Sequence, residues 1–403
     1  MPKALLHPFA KPTRPEFVRI VRGEGALLYT ADGNEIIDGM ASLWYCAIGH
    51  GRKEMAEAIA AQVSTLEAYS IFDPFTTDPA EELAETLREI GPMPGARVFF
   101  TDSGSEAIDT AMKLSRMAHV QAGQSQRKLI ISLTRGFHGT AYGGTSAQGI
   151  APNREDFGPF VGDVMQLPAH DLEAMATMFV ERGNEIAAII VEPVQGAGGI
   201  FPSPDGYLEG LRKLCDQHGA YLVYDEVITG FGRVGSWFAA HHYGVEPDLA
   251  TFAKSVTSGY IPLGGVFVGS KATAALESNP DFILRHGFTY SGHATACAAA
   301  LKNLEIIRRE ELVARANHIG ERFSAGLQSL ADDGIIDHVR GLGAMFAAAL
   351  RPDQNAMTIR DAMFRDGVIC RALNTDALVF CPPLVTTDAQ LDRMVDSIAT
   401  AAR

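Results

Sequence analysis

Through the middle of the chain, short apolar runs alternate with longer amphipathic stretches. The runs are rich in β-branched and aromatic residues and too short for helices, so they predict buried parallel strands. These predicted strands are Arg97–Thr101, Lys128–Leu133, Ala187–Val191, Ala220–Tyr224, Leu249–Ala253 and Gly264–Val268. Between them, Glu106–Val120 and Tyr207–His218 show the 3.6-residue apolar period of helices. This alternation predicts an α/β fold with a mostly parallel central sheet and helices on both faces.

The pattern differs at the two ends of the chain. A helical stretch from Ala294 to Leu330, with an expected break near Glu310, is followed by short strands and by a last helix that opens at Thr387 with a capping-box pattern. The short strands are predicted at Gly343–Leu350, Val368–Leu373 and Ala377–Cys381. Apolar runs at 26–30 and 35–38, separated by a turn, predict an N-terminal hairpin. We expect segment 1–45 to join a small α+β domain of residues 291–403, beside a large domain of residues 46–290.

Composition and charge narrow the possible functions. The 403 residues are 47% hydrophobic and 20% charged, which is typical of a chain with a large core. The net charge of −14 argues against binding of nucleic acid. No window approaches the ~18 apolar residues of a membrane span, and no secretory signal is evident at the N-terminus, so we expect a cytoplasmic protein. The 5 cysteines and 12 histidines show no metal-site spacing, so no bound metal is expected.

Two of the predicted strands end at ionisable residues. Ala220–Tyr224 is followed by Asp225, and Leu249–Ala253 is followed by Lys254. Ligands of open α/β sheets bind at the carboxyl ends of the strands, so we expect the two side chains at one edge of the sheet. A lysine that can form an imine, near a carboxylate that keeps a ring nitrogen protonated, suits pyridoxal 5′-phosphate (PLP) chemistry. Taken alone, however, Lys254 is better explained as an ordinary strand-end lysine.

Three further strand ends carry chemical groups. The turn Ser103-Gly104-Ser105 precedes a predicted helix, where backbone N–H groups and hydroxyls can bind a phosphate. Simple helix capping by Asp102 or Ser103 is the alternative. Phe137 can stack on a flat cofactor or, alternatively, cover the core as a lid. Glu192 can hydrogen-bond within the site or form a structural ion pair.

Together, these strand ends resemble the class III aminotransferases, which are PLP enzymes of fold type I, over nearly the whole chain. The matching residues are Ser103-Gly104-Ser105, Phe137-His138-Gly139, Glu192-Pro193, Asp225-Glu226-Val227, Lys254 and Thr289. The resemblance implies that Lys254 carries PLP, that Asp225 pairs with the ring nitrogen, and that the Ser-Gly-Ser turn holds the phosphate. It places Phe137 and Val227 on the two faces of the ring, and His138 and Glu192 among the cofactor-binding residues. Finally, it implies that Thr289 reaches the phosphate in the neighbouring subunit.

The segment Phe288–Cys297 is similar to the amine:pyruvate (ω-amino acid:pyruvate) transaminases, although Ala294 stands where proline is usual. This subgroup implies that Trp44 lies in the substrate pocket, with a buried core tryptophan as the alternative. It also implies that Arg371 is a mobile carboxylate-binding residue, with a solvent-facing arginine as the alternative. A homodimer with shared active sites, or a tetramer, is expected. Phe137 replaces the usual tyrosine, which leaves the substrate range open.

The reaction implied by the resemblance is transfer of an amino group from an amine or ω-amino acid to a keto acid, with pyruvate as the expected acceptor. Lys254 would carry the proton and must be neutral to do so, and we expect burial beside a cationic ring to lower its pKa. An aminomutase or racemase of the same class is the alternative enzyme. A catalytically silent PLP-fold binding protein is the alternative outside catalysis.

Overall fold

A computed structural model describes residues 4–373 and 376–403 of the protein. The strands are β1 (Ile20–Glu24), β2 (Leu27–Thr30), β3 (Glu35–Asp38), β4 (Arg97–Thr101), β5 (Leu129–Leu133), β6 (Val164–Leu167), β7 (Ile186–Val191), β8 (Val194–Gln195), β9 (Phe201–Pro202), β10 (Tyr221–Asp225), β11 (Leu249–Phe252), β12 (Gly264–Val268), β13 (His338–Leu342), β14 (Met345–Ala349), β15 (Val368–Ile369), β16 (Arg371–Leu373) and β17 (Ala377–Phe380). The helices are α1 (Ala41–Trp44), α2 (Lys53–Thr65), α3 (Asp78–Ile90), α4 (Gly104–Gln121), α5 (Tyr142–Ala147), α6 (Leu172–Arg182), α7 (Tyr207–His218), α8 (Ala239–Tyr243), α9 (Ser270–Leu276), α10 (Ala294–Arg309), α11 (Leu312–Asp332), α12 (Ala356–Arg365) and α13 (Asp388–Ala401).

A seven-stranded sheet in the order β4-β12-β11-β10-β7-β5-β6 forms the centre of the molecule. Strand β12 is antiparallel to β11 and β4, and the other neighbouring pairs are parallel. The predicted α/β fold with a mostly parallel sheet is therefore confirmed. Strand β6 was not predicted, because its residues are mostly half-buried and its apolar pattern is correspondingly weak.

The core lies on both faces of this sheet. Strands β7 and β10 are buried along their whole length, which explains their continuous apolar sequences. Successive residues of a strand face opposite sides, so Ile190 packs with Ala107 and Leu114 of α4, whereas Ile189 belongs to the cluster on the opposite face. Helices thus cover both faces and leave the carboxyl ends of the strands accessible.

The two ends of the chain meet in a four-stranded sheet with the order β1-β2-β3-β15, in which β15 is parallel to β3. The predicted N-terminal hairpin therefore joins the C-terminal part of the chain, while the domain boundaries near residues 45 and 290 stay predictions. A second, antiparallel sheet has the order β13-β14-β17-β16. The single strand predicted at Val368–Leu373 is wrong, because the chain leaves one sheet at Cys370 and enters the other.

Three further properties of the described residues bear on function. Within the described ranges, no helix combines the length and the apolar character that crossing a membrane requires. The same residues contain no group of three or more His, Cys, Asp or Glu side chains that could hold a metal ion. All five cysteines are buried and free. Burial raises the pKa of Cys46 and of Cys215 to about 12, so these two thiols stay protonated at neutral pH.

Candidate active site

A cavity of about 180 Å³ lies at the carboxyl ends of the central strands. Most of the site residues predicted from the sequence line it, namely Ser103, Gly104, Ser105, Phe137, His138, Glu192, Asp225, Val227 and Lys254. They come from separate parts of the chain and meet here because parallel strands end at one edge of the sheet.

Asp225, the last residue of β10, is buried on the floor of this cavity. Its Oδ2 forms a 2.9 Å hydrogen bond with His138 Nδ1, and its Oδ1 accepts hydrogen bonds from Val227 N (3.2 Å) and Thr251 Oγ1 (3.3 Å). Burial by itself would lower the pKa of His138, but the hydrogen bond to Asp225 and its charge outweigh that effect and raise it. Asp225 and His138 therefore form a closely coupled acid–base pair inside the protein.

Lys254 follows β11 and has a left-handed backbone, with φ of 47°. Its side chain lines the cavity and is partly buried by the surrounding protein. This desolvation lowers the pKa of Lys254, and the opposing charges of Asp225 and Glu192 do not fully compensate. An amine with a lowered pKa is neutral more often, as a base and nucleophile must be.

The turn before α4 presents hydroxyls and backbone N–H groups to the cavity. Ser103 is the N-cap residue of α4, and its Oγ accepts a 3.2 Å hydrogen bond from Glu106 N. Ser105 Oγ accepts a 3.0 Å hydrogen bond from Thr140 N. Ser103 therefore caps the helix, as the alternative interpretation predicted. This capping does not exclude phosphate binding, because each hydroxyl still has a proton to donate and the helix N-terminus attracts anions.

Glu192 connects two loops of the site through its carboxylate. One oxygen accepts a 2.8 Å hydrogen bond from Phe137 N, and the other accepts a 2.9 Å hydrogen bond from Gly196 N. Burial raises the pKa of Glu192 to about 7. The geometry therefore shows a carboxyl group that holds the backbone of Phe137, the aromatic residue at the cavity wall.

Trp44 ends an irregular turn whose backbone is strained. Ala41, Ser42 and Trp44 have φ of 46°, 59° and 66°, a region that side chains other than glycine rarely occupy. The buried Asp38 carboxylate accepts hydrogen bonds from Met40 N (3.0 Å) and Ser42 N (2.7 Å) and so fixes this turn. The indole of Trp44 is buried, as the core alternative predicted, but it also borders the site.

Arg371 and Lys254 both lie against the ring of Trp44. The Cζ atom of Arg371 is 5.4 Å from the ring centroid, and Nζ of Lys254 is 5.7 Å from it. Desolvation lowers the pKa of Arg371, which is partly buried rather than fully solvent-facing. Neither Trp44 nor Arg371 lines the cavity itself, so the guanidinium is related to the site through the Trp44 ring that it shares with Lys254.

Thr289 lies outside the cavity, on an exposed turn. Ser291 Oγ accepts a hydrogen bond from Phe288 N (3.1 Å) and donates one to Phe100 O (2.9 Å), which fixes the turn onto β4. The predicted contact of Thr289 with a phosphate in a neighbouring subunit concerns a partner chain and stays a prediction.

Comparison with known proteins identifies the family. The profile of "Aminotransferase class-III" matches residues 9–402. The chain belongs to the class III aminotransferases. Among its relatives, putrescine–pyruvate aminotransferase of Pseudomonas aeruginosa is 35% identical over 93% of this chain and 88% of the relative. The β-alanine–pyruvate aminotransferase of the same organism is 37% identical over 95% of this chain and 91% of the relative.

Solved structures agree with this family. A transaminase from the marine bacterium Virgibacillus superposes with a TM-score of 0.96 and 36% identity, covering 99% of this chain and 96% of that one. An amine transaminase from an uncultivated Pseudomonas species, solved with PLP bound, gives 0.94 and 34%, covering 99% and 98%. This class III aminotransferase is therefore a PLP-dependent transaminase of fold type I that acts on amines and keto acids. The aminomutase, racemase and non-catalytic alternatives are not favoured.

The residues around the cavity fit PLP chemically. A helix N-terminus with two serines suits a phosphate, a buried carboxylate suits a protonated ring nitrogen, and Lys254 supplies the amine. Gly104 is closely packed, because a Cβ there would lie 3.0 Å from Val227 Cγ1 and 3.1 Å from Val227 Cγ2. Val227 and Phe137 are among the apolar residues that line the cavity, together with Ile108, Ile228 and Ala253.

Two supporting roles in this aminotransferase were missed by the sequence analysis, which named Glu226 only as part of the matching motif. Thr251 pairs with Asp225 across β11 and β10, and the signal was a hydroxyl residue within an otherwise apolar strand. Glu226 is fully buried, and its carboxylate accepts hydrogen bonds from Ala239 N (2.9 Å) and Ala240 N (2.8 Å). Its partners lie 13 and 14 residues away, so nothing in the local pattern could reveal them.

Proposed function

We propose that this transaminase moves an amino group from an amine or ω-amino acid donor to pyruvate. The observation that carries the proposal is the placement of Lys254 and Arg371 against the same tryptophan ring, Trp44. One small substrate could then meet both groups: its reacting carbon would lie near the Lys254 amine, and its carboxylate near the Arg371 guanidinium. The names of two relatives, which specify putrescine with pyruvate and β-alanine with pyruvate, support the choice of acceptor.

In this proposal, the chain positions PLP and moves protons. PLP, when bound, supplies a carbonyl group that combines with amines and a ring that withdraws electrons. Lys254 would hold the cofactor through its amine, and the same amine, when free and neutral, would act as the base that takes up and returns the proton. Asp225 keeps the ring nitrogen protonated, and the hydrogen bonds from His138 and Thr251 hold its carboxylate in place.

Recognition of two dissimilar substrates falls to Arg371. Turned toward the cavity, its guanidinium binds the carboxylate of pyruvate or alanine through two parallel hydrogen bonds. Turned away, it leaves the wall formed by Trp44 and its apolar neighbours to an amine that has no carboxylate. Both states serve one ping-pong cycle, in which donor and acceptor occupy the same cavity in turn.

The proposal includes a homodimer with shared active sites, and a tetramer built from such dimers is compatible with it. Large apolar side chains near Thr289 are exposed in the single chain, among them Phe72 (51%), Ile283 (61%) and Tyr290 (63%). Groups of exposed apolar residues are typical of interaction surfaces. A partner on this surface would bring its own cavity within reach of the Thr289 hydroxyl.

A panel of donors and acceptors tests the function. The purified, PLP-loaded protein is given putrescine, β-alanine or an aryl-alkyl amine together with pyruvate or 2-oxoglutarate, and the amino acid product is quantified. We expect alanine from pyruvate with at least one donor, at a higher rate than glutamate from 2-oxoglutarate. A preference for 2-oxoglutarate would contradict the proposed acceptor. The name of one relative gives a reason to test this preference, because a diaminobutyrate–2-oxoglutarate transaminase of Halomonas elongata is also 35% identical to this chain.

A further inference from the structure

A fully buried asparagine, Asn303 of α10, makes three hydrogen bonds to the turn that directly follows Lys254. Its Nδ2 donates to Ser255 O (2.8 Å) and to Val256 O (2.9 Å). Its Oδ1 accepts a hydrogen bond from Ser258 Oγ (2.7 Å). Both amide protons and the amide oxygen are therefore used on one short segment of backbone.

The segment that Asn303 holds is strained. Lys254 and Ser258 have φ of 47° and 51°, which residues other than glycine adopt only when the surroundings enforce it. The turn's own backbone bonds, from Val256 N to Ala253 O (3.1 Å) and from Thr257 N to Lys254 O (3.4 Å), are at the long end of the range. The shorter hydrogen bonds from Asn303 therefore add contacts from outside the turn to these weak internal ones.

The same network reaches the segment that follows Trp44. Ser258 Oγ, besides donating to Asn303, accepts a hydrogen bond from Ile48 N (3.3 Å). Two residues further on, Tyr260 Oη accepts a hydrogen bond from Arg52 N (2.8 Å) and donates one to Gly49 O (3.0 Å). Hydrogen bonds therefore connect the turn after Lys254 to the segment after Trp44, and the buried Asn303 amide is bonded to the same turn.

We propose that Asn303 is a positioning residue for Lys254, which fixes the strained turn so that the lysine amine stays in the cavity beside Trp44. The inference rests on the proposed role of Lys254 as the PLP-bearing lysine. Asn303 touches neither substrate nor cofactor and acts only through the carbonyl groups of Ser255 and Val256 and the hydroxyl of Ser258. An ionised aspartate could donate to neither carbonyl and a protonated one to only one of them, whereas a leucine could bind none of the three groups.

Three variants and one control test this role. Asn303→Asp keeps the size of the side chain and removes at least one of its two N–H donors, and Asn303→Leu removes all three hydrogen bonds. Ser258→Ala keeps both bonds from Asn303 to the carbonyls and removes the bonds that Ser258 Oγ makes to Asn303 and to Ile48 N. Ile306→Val is the control, because Ile306 is buried on the same helix and makes no side-chain hydrogen bond. For each protein we would measure the melting temperature, the kcat and KM for donor amine, and the fraction of bound PLP that borohydride fixes on Lys254.

We expect both Asn303 variants to lower the attached fraction of bound PLP and to lower kcat by about tenfold or more, with KM changed by no more than about twofold. Ser258→Ala should shift the same quantities less, and Ile306→Val should lower only the melting temperature.

Asn303 variants that melt earlier but keep the wild-type attached fraction and kcat would overturn the proposal. Should neither Asn303 variant fold, Ser258→Ala decides by the same criteria. Attachment of PLP to another lysine in the wild type would instead refute the role of Lys254 itself.

Discussion

At the residue scale, Arg371 carries the substrate selectivity in our account, and its removal should act on one half of the reaction. Arg371→Ala should raise the KM for pyruvate about tenfold or more, because a bidentate partner of a desolvated carboxylate is typically worth roughly 2–4 kcal/mol. The half-reaction with an amine that lacks a carboxylate, followed by the colour change of bound PLP, should change far less. Arg365→Ala, an exposed arginine on α12, is the control. Equal losses in both half-reactions would contradict the selective role of Arg371.

Two buried glutamates should contribute to the pH dependence of stability. Burial raises the pKa of Glu192 and of Glu226 from the ordinary 4.5 to about 7. Because the folded chain holds these protons more tightly than the unfolded chain does, stability should fall as the pH rises from 4.5 to about 7 and level off above that. Denaturant unfolding of the cofactor-free protein should show a loss on the order of 3 kcal/mol per group. Glu226→Gln should reduce this loss, and a variant with the wild-type pH dependence would contradict the assignment.

How far the sequence predicts individual site residues depends on the distance to their partners. Asp225 and Lys254 were predicted because a polar residue after an apolar run is a local signal, and the strands of one sheet end at the same edge. The supporting contacts are not local. Thr251 binds a carboxylate 26 residues earlier in the chain, and Asn303 binds carbonyls 47 and 48 residues earlier, so only the folded chain brings them together.

At the scale of elements, the start of α4 is packed so closely that one methyl group should disturb the site. In Gly104→Ala, the new Cβ would lie 3.0 Å from Val227 Cγ1 and would push this side chain toward the cavity. We expect this displacement to weaken the binding of PLP by about 1.4 kcal/mol. The Kd for PLP, measured by equilibrium dialysis, should then rise about tenfold. Gly162→Ala is the matched control, because a Cβ at Gly162 meets nothing within 4 Å. Equal affinities for PLP in both variants would show that the packing at Gly104 is unimportant.

Elements were predicted best where burial is continuous. The strands that became β7 and β10 were placed within one residue, because both faces are apolar. The direction of β12 could not be read from its composition, since a buried antiparallel strand between two neighbours looks like a parallel one. The division at Cys370 was missed because β15 and β16 form an almost uninterrupted apolar run, and their separation depends on two different sheets.

At the scale of the whole molecule, the exposed position of Thr289 requires a second subunit if the residue is to bind PLP phosphate. We expect sedimentation to show a dimer or a larger assembly of dimers. Thr289→Ala should raise the Kd for PLP about fivefold to a hundredfold, which corresponds to the loss of one hydroxyl donor to an anion, about 1–3 kcal/mol. Ser278→Ala, an exposed hydroxyl outside that turn, should leave the affinity unchanged. A fully active monomer would rule out shared active sites.

The central claim, that Lys254 is the residue to which this aminotransferase attaches PLP, has a direct measurement. Borohydride reduction of the PLP-loaded protein makes the link permanent, and peptide mapping by mass spectrometry then locates the added group. Our account predicts a single modified peptide, with the cofactor on Lys254, and no modification when the donor amine has first converted all bound cofactor to its amine form. Modification of a different lysine in the PLP-loaded protein would contradict the account.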